Sequence, residues 1–332
     1  MSGRRGRQGT LAGALAGLLV LGTAACSDYG GDLSGADVSG GGDGDGDTLV
    51  VSETAGVPSS FLAYGVSQGY FADEGVDLRV SPSSGGASVI PALLSGDIDV
   101  AGSNVVSAMI AMGRRMPIQM VAAGTSTAEE PAEDFASLVV PEDSPITSPE
   151  DLDGSRIAVN SLQNINDVVI NSVLTEAGLS NDDVRFVEMP LPDIPAAIQR
   201  GDVDAGLLIE PFASIGRSQG LRVLASPYVN TRPGLQIGTY LMTSERVADD
   251  PELVAAFRAG VERTARSVAE DPDAFREALP EISDLSPELA GEMNLPVWHG
   301  GNDRESIEAI HAVMREIGLT DAELDYERAV AD

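Results

Sequence analysis

Glu210 closes an apolar run, Ala205–Ile209, and is followed by Pro211. A carboxylate at the end of a buried strand is costly unless it is paired or wet. Two readings stay open for it. It accepts hydrogen bonds from a ligand amine or ring N–H, or it sits in the first turn of a helix, where the dipole favours it. Other residues able to hold a solute fall in small polar loops, each after an apolar run. The first half of the chain supplies Thr54, Ser59 and Ser60, then Ser84, Gly85 and Gly86, then Ser103 and Asn104. The second half supplies Asn160, Ser161 and Asn164, then Asp193, then Glu210 and Phe212. Hydroxyls, amides and glycine N–H groups can surround a small molecule without covalent chemistry. Singly, each Ser or Asn suits a helix cap equally well. Phe212, Tyr64, Tyr240 and Trp298 are candidates for an aromatic wall or for core.

Covalent chemistry has little to work with. All 20 basic residues are arginine, so a catalytic lysine and a Walker A lysine are both excluded. Two histidines and one cysteine exclude a disulfide scaffold and a zinc module, and no metal or cofactor is expected. Gly216-Arg-Ser-Gln-Gly220 matches the G-x-S-x-G nucleophile elbow, with His299 downstream. That motif needs a strand before the serine and a helix after it. Here the pattern predicts a helix, Pro211–Ser218, before Ser218 and a strand, Leu221–Ala225, after it. Asp43-Gly-Asp45-Gly-Asp47 opens like a calcium loop, but Thr48 stands where Gly belongs and Thr54 where Glu belongs. The formal charge of −32 over 332 residues repels phosphate backbones, so nucleic acid is not an expected partner.

The N-terminus reads as an address and a tether. Arg4, Arg5 and Arg7 form a basic region, Leu11–Leu21 an apolar one, and Thr23-Ala24-Ala25 a small-residue cleavage site. Residues 1–25 are therefore expected to be a signal peptide. Cys26 follows directly, as in a bacterial lipobox, although Thr23 stands where Leu is usual; lipidation of Cys26 would anchor the chain to the outer face of the cytoplasmic membrane. Residues 26–47 are Gly, Asp and Ser with almost nothing to bury, which predicts a disordered tether. The leader's apolar run is shorter than the ~20 residues that a spanning helix needs.

The body is written twice. Gly96-Asp-Ile-Asp-Val-Ala-Gly102 returns as Gly201-Asp-Val-Asp-Ala-Gly206, and the flanking elements recur in order. In the first copy, strands are expected at 48–52, 76–80, 98–101 and 118–122. Helices are expected from the Glu53–Ser59 loop through Phe71 and Glu74, at 88–94 and at 105–112. In the second copy, strands are expected at 156–159, 184–189, 203–209 and 221–225, with helices from Asn164 to Ala177, at 194–198 and at 211–218. Strands and helices alternating at this spacing predict parallel sheets with helices on both faces. Ala136–Val140 and Gly238–Thr243 are expected as two crossover strands. An amphipathic helix, 251–269, and helices near 275–279, 287–293 and 304–317 complete the chain. The fold class is thus α/β, with two doubly wound lobes around a ligand cleft joined by two crossover strands. Lobe 1 would be 48–137 with 244–332, and lobe 2 would be 138–243. Ligands in such sheets bind beyond the carboxyl ends of the strands.

Four stretches carry a family resemblance. They are Gly69-Tyr-Phe-Ala-Asp-Glu-Gly-Val-Asp77, Leu94-Ser-Gly-Asp-Ile-Asp-Val100, Asp151-Leu-Asp-Gly-Ser-Arg-Ile-Ala-Val-Asn160, and Arg200-Gly-Asp-Val-Asp-Ala-Gly206 with Glu210-Pro-Phe212. In this order and spacing the chain resembles the NMT1/THI5-like, SsuA/TauA class of ABC-transporter solute-binding proteins, over about residues 48–270. The resemblance implies a type II periplasmic-binding-protein-like fold that closes on a small solute and delivers it to an ABC permease with its ATPase. Members of the class take nitrate, sulfonates, taurine, pyrimidines and other small organics. A monomer suits such a hinge. Some relatives are enzymes of thiamin-pyrimidine synthesis that use clustered cysteines and a histidine. This chain has no such cluster, and His299 and His311 lie outside the expected cleft loops. An enzyme on a small heterocycle and a surface sensor on the same fold are the alternatives. Among the expected cleft loops, only Arg232, in a loop near the hinge, offers a cation, which favours a zwitterion or a polar heterocycle over a bare anion.

Overall fold

The computed structural model describes Val38–Ser39 and residues 47–331. The expected signal peptide, the lipidation site Cys26 and most of the tether lie outside the described residues. Within the tether stretch, β1 (Val38–Ser39) pairs antiparallel with Arg79 and Val80 at a sheet edge, so these two residues depart from the disorder expected of them.

Two sheets carry the chain. The first contains β1, β2 (Asp47–Thr54), β3 (Val76–Ser83), β4 (Val100–Asn104), β5 (Ile118–Ala123) and β12 (Gly238–Thr243), in the order β1-β3-β2-β4-β12-β5. The second contains β7 (Ala136–Pro141), β8 (Arg156–Val159), β9 (Arg185–Glu188), β10 (Ala205–Ile209) and β11 (Leu221–Ala225), in the order β11-β7-β10-β8-β9. A short ladder joins β6 (Thr125–Ser126) to β13 (Val297–Trp298). Leaving β1 aside, the two sheets have one topology: β2 matches β8, β3 matches β9, β4 matches β10 and β5 matches β11.

Neither sheet is all parallel as expected. β12 runs antiparallel between β4 and β5, and β7 runs antiparallel between β10 and β11. These are the two expected crossovers, and each enters the sheet of the opposite half. β12 therefore belongs with the first sheet, whereas the sequence pattern groups it with 138–243. No helix among the described residues is long and apolar enough to cross a membrane.

The helices follow the same duplication. α1 (Val57–Ser67), α2 (Gly86–Ser95) and α3 (Val105–Gly113) serve the first sheet; α4 (Ile165–Glu176), α5 (Ile194–Gln199) and α6 (Phe212–Ser218) serve the second. α1 stops before Phe71, earlier than expected, and a separate one-turn helix spans Ala72–Glu74. α7 (Pro227–Thr231) and α8 (Ser244–Asp249) flank β12; α9 (Pro251–Glu270), α10 (Pro272–Ile282), α11 (Pro287–Glu292), α12 (Arg304–Glu316) and α13 (Tyr326–Ala329) end the chain. α9 buries Leu253, Val254, Phe257, Val261, Ala265 and Val268, a stripe at helical spacing, and Asp250 caps it by accepting from the Leu253 N–H at 3.3 Å. That stripe packs with α1, β2 and β3 in one apolar cluster, where Trp298 stacks on Phe61 at 4.6 Å. A second cluster runs from α2 and α3 through the second sheet and its helices.

The repeated Gly-Asp-x-Asp motif is a structural device. Asp99 Oδ2 accepts from the Val50 N–H at 2.9 Å, and Asp204 Oδ2 accepts from the Arg156 N–H at 2.8 Å. Each carboxylate also meets an arginine, Arg246 at 3.2 Å and Arg156 at 2.9 Å. In both halves the second aspartate thus ties the entry of its strand to the strand beside it. The tie lies at the amino ends of β4 and β10, leaving their carboxyl ends free to form a site.

Candidate functional site

The carboxyl ends of the two sheets face each other across a cavity with about 60 Å³ of free space. By the same measure one water needs ~10–15 Å³, so the space suits a solute of a few heavy atoms. Glu53 and Thr54 from the end of β2, Ser103 and Asn104 from the end of β4, and Leu207 and Ile209 from β10 line it, with Asn160 just beyond β8. The placement follows the strand-end rule for open α/β sheets. Two bonds link the halves around it. Asn160 Nδ2 donates to Ser84 O at 3.1 Å, and the Val57 N–H donates to Glu210 O at 3.4 Å.

Of the residues expected to bind ligand, Thr54, Gly86, Ser103, Asn104, Asn160 and Asn164 line the cavity. Gly86 is required there, since a Cβ would overlap Ser103 Oγ and come within 2.8 Å of the Asn104 nitrogen. Asn104 and Asn164 cap α3 and α4: their Oδ1 atoms accept from the Ser107 and Asn166 N–H groups, each at 2.9 Å. Cap and cavity wall are therefore one role for these two residues. Their Nδ2 groups make no hydrogen bond among the described residues, so each keeps a donor in reserve.

The other eight fall elsewhere. Ser59 and Ser60 turn their hydroxyls back to Gly56 O, at 2.9 and 3.2 Å. Ser84 is exposed, and its hydroxyl meets Ser88 at 3.2 Å; Gly85 packs behind Asn160, whose Nδ2 would lie 2.7 Å from a Cβ there. Ser161 does not line the cavity, and Asp193 is exposed, its neighbour Leu191 lining the wall in its place. Phe212 is packed in the second cluster.

Glu210 requires the clearest correction. It is 0% exposed and does not line the cavity. Its Oε1 accepts from Ser214 Oγ at 2.9 Å and Arg217 Nη2 at 3.0 Å, and its Oε2 accepts from the Ser214 N–H at 2.9 Å. Both oxygens are held by α6, so this is a structural carboxylate. Of the aromatic candidates, Tyr64 and Trp298 pack around Phe275 and Tyr240 against Phe257; Phe135 and Tyr228 form the cavity's aromatic wall instead. Arg232 pairs with Glu305 at 3.0 Å. His311 Nε2 meets Ala322 O at 2.9 Å, and neither histidine lines the cavity. Ser218 ends α6 with its hydroxyl on Ile215 O, and β11 follows, the reverse of a nucleophile elbow.

Glu53 is the residue missed on sequence, and it is the one charged side chain in the lining. It is 5% exposed, and its Oε1 accepts from the Thr54 N–H at 2.6 Å, with Tyr240 as a second hydrogen-bond partner. Its carboxylate occupies the place that a Cβ on Gly102 would take, so Gly102 makes room for it. Burial pushes the Glu53 carboxyl up to about 7, against three hydrogen bonds that lower it, from the Thr54 N–H, the Thr54 hydroxyl and Tyr240. The same burial, with the Glu53 charge, drives the Tyr240 phenol well above its usual range. Behind the wall, Asp134 is also buried; its Oδ1 accepts from Thr127 Oγ1 at 2.6 Å and its Oδ2 has no partner. Burial pushes that carboxyl up to about 6.

Comparison with known proteins places this geometry in context. A family model described as NMT1/THI5 like matches residues 59–275. The taurine-binding periplasmic protein of Escherichia coli (strain K12) is 26% identical over 201 residues, 60% of each chain. The chain thus spans three fifths of that relative's length. A 4-amino-5-hydroxymethyl-2-methylpyrimidine phosphate synthase of Aspergillus parasiticus is 24% identical over 245 residues, 70% of this chain and 68% of the relative. The alkanesulfonate-binding protein SsuA of Xanthomonas axonopodis pv. citri, solved bound to MOPS, superposes with a TM-score of 0.71 at 19% identity, covering 86% of this chain and 98% of that one. At that identity the superposition shows a shared fold: the two sheets here are those of a periplasmic-binding-protein-like chain.

Proposed function

The chain belongs to the NMT1/THI5-like family, and from that premise we propose that it is an extracytoplasmic solute-binding protein of an ABC importer. It takes a small polar solute containing nitrogen or sulfur into the cavity and hands it to a membrane permease with its ATPase. Two lobes, one per sheet, close on the solute as a hinged monomer. Lipidated Cys26 and the Gly/Asp stretch after it tether the lobes to the outer face of the membrane.

The observation that carries this reading is the cavity. It is small, lies at the strand carboxyl ends, and is lined from both sheets by amides and hydroxyls around one carboxylate. Such a lining can desolvate and orient a solute. The synthase relatives keep a second reading in view, an enzyme on a small heterocycle. Against it, Cys26 is the one cysteine of the sequence, so the cysteine cluster expected of such enzymes is missing.

A thermal-shift screen of taurine, alkanesulfonates, nitrate and aminopyrimidines separates the two. A solute present at 100 times its Kd adds about 2.7 kcal/mol of stability by mass action, and the expected result is a saturable rise in Tm with the solute recovered unchanged. A rise accompanied by a new product would favour the enzyme.

A further inference from the structure

We propose that Glu53 is the specificity group of the cavity, and that the solute presents N–H hydrogens to it, as a protonated amine or an amino-substituted ring. This deepens the solute-capture reading and rests on it. A buried carboxylate in this fold has two possible fates, and the chain shows both. Glu210 has Arg217 at 3.0 Å and three hydrogen bonds in all, so its charge is answered from within. Glu53 has the Thr54 N–H, the Thr54 hydroxyl and Tyr240, all neutral, and no cation beside it. Arginine, lysine and histidine are absent from the lining. Behind Tyr228 on the other wall lies another buried acid, Asp134, with one oxygen unpartnered. An anion entering alone would meet the Glu53 carboxylate with no cation in the lining to offset it. An N–H group would supply the missing partner of Glu53.

Two amides complete the recognition, Asn104 beside Glu53 at the end of β4 and Asn164 on the opposite wall. The reserve Nδ2 donors of Asn104 and Asn164 stand at the N-termini of α3 and α4, helices of 9 and 12 residues. Asn164, across the cavity from Glu53, suits an acceptor oxygen or ring nitrogen at the far end of the same molecule, and Asn104 an acceptor along its side. Donor at one end and acceptor at the other describe a zwitterion such as taurine, or an aminopyrimidine. They do not describe a simple alkanesulfonate.

Matched pairs test this by calorimetry at pH 8: taurine against ethanesulfonate, and 4-amino-2-methylpyrimidine against 2-methylpyrimidine. In whichever pair binds, the N–H member is expected to bind at least tenfold tighter, and Glu53→Gln should cut that preference severalfold. For taurine the preference should also fall about tenfold per pH unit below 7 as Glu53 takes up a proton, the amine staying charged throughout. Tyr240, the other titratable group facing Glu53, keeps its proton over this range. Asp134 titrates nearby, so the Gln variant is the control and should be flat with pH. Equal binding of both members, or a preference left undiminished by Glu53→Gln, overturns the role of Glu53 and leaves solute capture standing. Binding by no member of either pair overturns the capture reading itself.

Discussion

Arg217→Ala is expected to lower the stability of the fold by about 3 kcal/mol, seen as a lower urea midpoint with an unchanged slope. The cause is the carboxylate it leaves behind. Glu210 is 0% exposed, and after the change only Ser214 would answer its charge. Removing one partner of a buried pair costs more than the pair contributes, because the remaining charge keeps its desolvation penalty. The lower end of the usual ~3–5 kcal/mol range applies, since Arg217 is itself 35% exposed and water can replace part of it. The double variant Glu210→Gln/Arg217→Ala should recover much of the loss. If the single and double variants were equally unstable, the damage would lie in Arg217 packing and the buried-charge account would be wrong.

Glu53→Gln should have the opposite sign. Burial raises the folded-state pKa of Glu53 to about 7 from 4.5. A carboxyl shifted upward favours folding while protonated in both states. That advantage is lost as pH rises from the unfolded value through the folded one, and stays lost above it. At pH 8 the free protein therefore carries a penalty of about 3 kcal/mol for holding this charge in the wall. Glu53→Gln should remove most of it, raising the urea midpoint at pH 8 while changing little at pH 5. A group kept at such cost in a cavity wall is what a ligand-recognition role predicts: stability is traded for affinity. A midpoint raised equally at both pH values would mean that Glu53 ionises normally and that the gain has another source.

These two carboxylates also show what the sequence could and could not reveal. Glu210 stood out because it ends an apolar strand before a proline. Its answer was nearby, since Glu210, Ser214 and Arg217 are spaced to share one helix face. Glu53 gave no such signal. Its burial depends on Gly102 and Tyr240, on β4 and β12, which only the folded sheet brings beside it. The amides were easier, because Asn104, Asn160 and Asn164 each follow a strand and precede a helix, where caps and ligands compete for the same residues.

The fold was legible for a similar reason. The twice-written Gly-Asp-x-Asp motif marks matching ties in the two sheets, and β8, β11 and β12 begin and end where the hydrophobic pattern put them. The antiparallel insertion of β7 and β12 was hidden, because strand direction within a sheet leaves no mark on a short apolar run. The cavity's remaining wall, Thr125, Phe135, Tyr228 and Ile237, comes from segments beside those crossovers, and was missed with them.

A crystal structure with the tightest-binding solute of the screen tests the central claim most directly. The account predicts one solute enclosed between the sheets, with an N–H group on Glu53 and an acceptor atom facing Asn164 across the cavity. A solute ordered elsewhere on the chain, with this cavity empty, would contradict it.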